Sequence, residues 1–290
     1  MLHSQRKFYV DFYRHSGGYI PCWPLSSSIN LGELILIVKG RVVKLGNIMD
    51  EFFGVNEDIS ITEGRHPYLD AYPMQSGVSQ SFRRERDPEK VSSSNSASYL
   101  NLEFNDAGDY FFDASNLSVR SIENFYEFKF KLLQQLASEK FNFKEIYVVT
   151  SVMKAEAFTL LTAEDDDATL EVFFEGDHQS GVTAEDLTKG ETKPKISSMK
   201  GVASPLIKEV DGAFFFKAQR LEVSTQGKEI VSKHILSQLP ESMQKHRSEI
   251  LRYVPTQVLP SNDIYPAKVH ELFHWREMNL DDLLDYLGVD

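Results

Sequence analysis

The chain has 290 residues, with 31 lysines and arginines against 43 aspartates and glutamates, a formal net charge of −12, and 41% hydrophobic residues. The acidic excess excludes a nucleic-acid binder, which needs a basic face, and opposes simple electrostatic adsorption to anionic lipid. A single cysteine, Cys22, excludes an internal disulfide and a cysteine-rich zinc site.

In chain order, Phe8, Tyr9 and Phe12 fall at helical spacing before Gly17-Gly18. They predict an opening amphipathic helix with Arg6, Lys7 and Arg14 around it. These first residues lack the apolar stretch and cleavage site of a secretory signal, and no run approaches the ~20 apolar residues of a membrane helix. The expected compartment is the cytosol. Glu33–Val38, a Lys39-Gly40 turn and Arg41–Leu45 predict a hairpin, with a short helix starting in Asn47–Phe53. Ser76–Ser98 is polar enough for a solvated loop or weakly held strands. Tyr99–Phe104 alternates as a half-exposed strand. Ser121–Ser138 predicts the best helix, with Ile122, Phe125, Tyr126, Leu132, Leu133 and Leu136 on one stripe and Ser121 as its cap.

Glu145–Glu156 (EIYVVTSVMKAE) and Ala213–Val223 (AFFFKAQRLEV) are apolar, β-branched or aromatic runs that predict two strands of one sheet. Between them come an acidic turn at Glu164–Asp167, an alternating strand at Ala168–Phe174 and a polar stretch, Glu175–Ser204. Helical patterns recur over Lys228–Leu239 and Glu241–Tyr253. Pro255, Pro260 and Pro266 then exclude regular helix or central strand and mark an exposed linker. Last, Asn279 precedes Leu280, Leu283, Leu284 and Leu287 at i, i+3, i+4, i+7, with Asp281 and Asp282 in the first turn and Gly288 past the end. This predicts a capped terminal helix.

Motifs that would carry chemistry are few. HELFH at His270–His274 fits H-E-x-x-H, with His270 and His274 as zinc ligands and Glu271 as base. Only 20 residues follow His270, which leaves little chain for a third ligand or a cleft, so a surface or packing role is the plain reading. Glu164–Asp167 lacks the spaced aspartates and glycine of a calcium loop and reads as a solvated hairpin tip. No glycine-rich phosphate loop and no Gly-x-Ser-x-Gly occurs. No catalytic residue, cofactor or metal is expected.

IYVVTSV at Ile146–Val152, a variable polar stretch, and then AFFFKAQRLEV at Ala213–Val223 together resemble the N-terminal domain of the gasdermins. These are pore formers kept latent until an inhibitory C-terminal part is cut away, and the layout is similar to the bacterial type, where that part is a short tail. The resemblance implies an α+β fold, a twisted and mostly antiparallel sheet with surrounding helices. It implies a pore-forming domain over residues 1–253, a linker over 254–268 cut near Val258, Leu259 and Pro260, and an autoinhibitory tail over 269–290. The covering side chains would be Phe273, Trp275, Leu280, Leu283, Leu284 and Leu287. An activating protease, acidic membrane lipids and further copies of the chain are the implied partners. Arg6, Lys7, Arg14, Lys39, Arg41 and Lys44 would touch lipid at the inner membrane, and the outcome would be cell death in antiphage defence. Ser76–Phe104 and Val152–Ser198 would refold into membrane hairpins. Bacterial gasdermins carry an acyl chain on a cysteine near the N-terminus; Cys22 is the sole candidate, further in than that pattern, and a buried thiol is its plain alternative. Two other readings stay open: a soluble binding or scaffold protein whose terminal helix docks a partner, and the H-E-x-x-H hydrolase.

Overall fold

Helix α1 (Leu2–His15) buries Phe8, Tyr9 and Phe12, the stripe its sequence spacing predicts. It stops where Gly17 and Gly18 adopt φ of 73° and 95°, with Gly18 N–H donating to Tyr13 O. Left-handed glycines end helices without the Cβ clash of other residues. The computed structural model describes residues 2–22, 25, 27–38, 41–50, 55, 58–65, 74–86, 96–138, 146–175, 195–202, 206–209, 212–224 and 273–286. The fold is α+β, with its strands mostly antiparallel. The chain divides into two compact units: Met1–Ser28, Glu63–Val119 and Met153–Phe215 form the first, and Ile29–Thr62, Arg120–Val152 and Phe216–Asp290 the second.

Two four-stranded sheets fill the first unit. One runs in the order β14 (Leu206–Glu209), β11 (Ala157–Thr162), β8 (Tyr110–Ser115), β5 (Met74–Ser76). Its Phe112 meets α1: the ring lies 5.1 Å from that of Phe8 between centroids, and 5.5 Å from that of Phe12, edge-on. The other runs β13 (Lys195–Lys200), β12 (Thr169–Glu175), β7 (Ser96–Phe104), β6 (Val78–Arg86). Leu102 pairs with Leu170 and Leu100 with Val172. With Phe104 and Phe174 these residues form one buried layer, while Glu103 stands on the opposite, solvent-facing side of its strand. The polar stretch Ser76–Ser98 thus takes the strand alternative over much of its length. β6 is paired with β7 along its whole length, from Val78 opposite Phe104 to Arg86 opposite Ser96. The turn between β5 and β6 is held by Gly77, whose φ is +62° and whose missing Cβ would fall 1.8 Å from Asp109 Oδ2.

A third sheet runs in the order β1 (Ile20–Pro21), β15 (Ala213–Val223), β10 (Ile146–Lys154), β2 (Glu33–Val38), β3 (Arg41–Asn47). Ile146 pairs with Leu36 and Val148 with Leu34, so the IYVV run lies centrally and is buried on both faces. Strand β9 (Ser118–Ile122) also pairs with β10, and β4 (Ile61–Arg65) pairs with β9.

Three sequence expectations need correction. The long helix, α2, spans Phe125–Ser138, so Ser121 is no cap; its hydroxyl meets that of Ser151 at 2.7 Å, and Asn124 stands at the N-cap instead, its amide donating to Glu127. Its buried stripe is Phe125, Phe128, Leu132, Leu133 and Leu136, whereas Tyr126 is 64% exposed because it lies one residue, about 100°, off that face. Asn47 closes β3 and is followed by a turn in which its Oδ1 accepts from Met49 N–H, so the short helix does not begin over residues 47–50; residues 51–53 lie outside the described residues. The helical patterns at Lys228–Leu239 and Glu241–Tyr253 lie outside the described residues.

Candidate functional site: the docked C-terminal segment

Ahead of the expected terminal helix the chain forms a strand. β16 (Phe273–Glu277) adds antiparallel to β15, pairing Phe273 with Val223, Trp275 with Leu221 and Glu277 with Gln219. Alternation along it puts Phe273 and Trp275 on one face and His274 and Arg276 on the other. Phe273 is buried. Trp275 Nε1 donates to Lys129 O at 3.2 Å, and its ring meets Phe125 edge-on at 5.6 Å. Met278 N–H continues the contact, donating to Ala218 O at 2.9 Å.

A short helix, α3 (Leu280–Tyr286), follows. Asp282 N–H donates to Asn279 Oδ1 at 3.1 Å and Asn279 N–H to Asp282 Oδ2 at 2.9 Å, the reciprocal pair of a capping box. Leu283 is fully buried, while Leu280 and Leu284 are half-buried. Leu287 lies outside the described residues.

Register places Arg276 directly opposite Arg220, and like charges in that position repel. Asp282 resolves the conflict. Arg276 Nη1 donates to its Oδ2 at 2.6 Å and Nη2 to its Oδ1 at 2.9 Å, while Arg220 Nη1 donates to Oδ1. Glu222 Oε1 accepts from Arg276 Nη2 at 2.7 Å, so two carboxylates balance two guanidinium groups. Asp282 is 2% exposed. Burial pushes its carboxyl up, but hydrogen bonds from Arg276, Asn279 N–H and Arg220 outweigh it and hold the group below its ordinary range. The Arg276 hydrogen bond likewise lowers Glu222. Arg276 is itself raised, first by its bond to Asp282. Such a bidentate, charge-assisted cluster fixes geometry as well as charge.

The sequence reading named Asp282 only as a first-turn acid and missed Arg220, Glu222 and Arg276. The available signals were the Asn279-x-x-Asp282 spacing and Arg276, the sole base in residues 269–290.

Other expected sites fall as follows. His274 belongs to β16, 3.5 Å from Glu222 Oε2 and with an exposed side chain, so the helical face that H-E-x-x-H requires is not formed at that end; His270 and Glu271 lie outside the described residues. Among the described residues no group of three or more potential metal ligands occurs. Lys7 Nζ is 2.6 Å from Asp109 Oδ1, whose carboxylate is buried, and Lys44 Nζ is 2.8 Å from Oε1 of the buried Glu33. Arg14 is exposed at the end of α1, and Arg6 is half-buried. Lys39, the Arg41 side chain, and Val258, Leu259 and Pro260 lie outside the described residues. Cys22 is buried; its N–H donates to Phe214 O, and Tyr9 Oη donates to its carbonyl. No described helix is long and apolar enough to cross a membrane. A scan of protein-family models and a search of curated proteins find no match to this chain.

Proposed function

We propose that the chain is a latent pore-forming protein of the gasdermin type, held inactive by its own C-terminal segment and released by a protease that cuts near Val258–Pro260. The observation that carries this reading is the edge pairing of β16 on β15. Removing residues 273–277 would bare the backbone groups of Gln219–Val223, and an uncovered strand edge is a template for assembly. The two stretches that the resemblance assigns to membrane hairpins contribute the strands of one sheet, β6 with β7 and β12 with β13, with Leu100, Leu102, Leu170 and Val172 turned inward. Crossing by strands needs such alternation together with a closed ring of paired backbones. Further copies of the chain would close that ring at an inner membrane rich in acidic lipid, and cell death in antiphage defence would follow. No enzymatic step, cofactor or metal enters the proposal, and acylation of Cys22 would require its burial to be undone.

Leakage of dye from liposomes tests the reading. Full-length protein is expected to leave vesicles intact, and protein cut between residues 254 and 268 and then separated from its C-terminal segment to empty them. Intact vesicles after complete cutting and loss of the segment would overturn it.

A further inference from the structure

We infer that the edge of β15 is a peptide-binding site in its own right, and that it holds the C-terminal segment even after the chain has been cut between residues 225 and 272. The site reads an extended stretch followed by an asparagine-capped helix with aspartate at its third position. This rests on the docking geometry alone and not on pore formation.

Three attachments of different kinds support it. Backbone pairing from Gln219 to Val223 is the general strand-adding mode by which sheets capture peptides. Phe125 and the Lys129 carbonyl receive Trp275, one through the ring edge and the other through the indole N–H. The third attachment is selective. Arg220 of the site and Arg276 of the segment face each other with side chains only 25% and 28% exposed, and Asp282 takes both. A segment lacking that carboxylate would leave two opposed, poorly hydrated guanidinium groups with Glu222 as their one balancing carboxylate. Asp281, one residue earlier, is exposed. The two neighbouring acids therefore differ in role although they carry equal charge.

None of these contacts needs the covalent connection through residues 225–272. The connection contributes effective concentration, which raises occupancy without making a contact. Scission and release are then separate steps, and a free segment of the same kind can displace the bound one.

The test uses the full chain with a protease recognition sequence, flanked by glycine and serine, inserted after Pro260. After cutting, gel filtration is expected to find the C-terminal fragment eluting with the body. A labelled synthetic peptide of residues 269–290 should then exchange into the nicked protein, and before cutting it should bind far more weakly. A peptide carrying Asp282→Asn should compete roughly tenfold or more weakly, and one carrying Asp281→Asn within about twofold of the parent. Loss of the fragment on cutting, equal competition by the two variants, or peptide binding that ignores cutting would each overturn the proposal. Circular dichroism of the nicked body guards against reading misfolding as loss of affinity. Liposome leakage recorded in the same samples fails independently if the pore-forming reading is wrong, because peptide exchange does not depend on it.

Discussion

Arg276 and Asp282 form a two-pronged pair, with Nη1 to Oδ2 at 2.6 Å and Nη2 to Oδ1 at 2.9 Å, that joins the last strand to the last helix. The same carboxylate caps α3 through Asn279 N–H and takes Arg220 from the neighbouring strand. One side chain therefore fixes the helix start, the strand-to-helix turn and the attachment to the sheet. Arg276→Lys keeps the charge but loses the planar fork. The amides of β15 between Gln219 and Val223 should exchange with solvent several-fold faster in that variant, while Asp281→Asn should leave them unchanged. Unchanged exchange in Arg276→Lys would show that strand pairing alone holds the segment.

The leucine stripe of the terminal helix is not uniform. Leu283 is fully buried and Leu284 only half-buried. An aspartate at position 283 would place a charge without a partner in an apolar site, at a cost of several kcal/mol. At position 284 it could turn towards water. Leu283→Asp is expected to cause liposome leakage without protease, and Leu284→Asp to cause markedly less. Equal leakage from both would mean that α3 is not seated by Leu283.

Acid should loosen the segment. Asp282 and Glu222 have carboxyls lowered in the folded state, so the stability they contribute is present above the ordinary carboxylate range of about 3.9–4.3 and is lost as pH falls through the folded values. The groups facing them are Arg276, Arg220 and His274, with Tyr147 beside Arg220. Trp275 fluorescence in a Trp23→Phe background should hold steady near neutrality and change progressively below about pH 5. Arg276→Gln removes the strongest of the hydrogen bonds that lower each carboxyl, so its transition should move to higher pH. An unmoved transition would assign the acid response to other carboxylates.

Much of the fold is legible wherever side-chain period and burial agree. Ala213–Val223 is read to its exact ends because the aromatic run Phe214–Phe216 and the residues that continue it leave no competing pattern. Ser121–Ser138 is read as one helix although it opens as a strand, because Ile122 happens to continue the helical stripe while backbone pairing claims it for β9. The docked segment is half legible for a similar reason. Five residues of β16 are too few to show a period, and their strand state comes from β15, some fifty positions away in sequence. The charge cluster was hidden because Arg220 and Glu222 look like ordinary polar positions on a half-exposed strand until register sets Arg276 against them.

Gly77 offers a test of the first unit. An added Cβ would fall 1.8 Å from Asp109 Oδ2, and the residue's φ of +62° already strains any L side chain. Asp109 cannot swing away freely, since it holds Lys7 Nζ at 2.6 Å and Asp106 N–H at 2.9 Å. Gly77→Ala should therefore lower the melting temperature by several degrees or more, with a loss of order 1–3 kcal/mol. Gly64→Ala, where a Cβ meets nothing within 4 Å, should change it little. Equal melting of the two variants would refute the close approach at Gly77.

Charge sets the last expectation. Residues 269–290 carry six acids and one arginine, net −5, so their release takes the chain from −12 to −7. A −7 body is still repelled by acidic lipid at long range, and apolar insertion must follow contact. Two of the expected lipid-facing lysines are committed within the protein, Lys7 to Asp109 and Lys44 to Glu33. Lys44→Glu would set a second acid against the buried Glu33 and should lower thermal stability, which confounds any effect on lipid. Arg14 is exposed at the end of α1, and Arg14→Glu should slow binding to acidic vesicles at low salt with the melting temperature nearly unchanged. Raising salt to physiological strength should shrink that difference and weaken binding of the released body only modestly. Complete loss of binding at physiological salt would show that electrostatics dominates, and no effect of Arg14→Glu at low salt would remove α1 from the lipid contact.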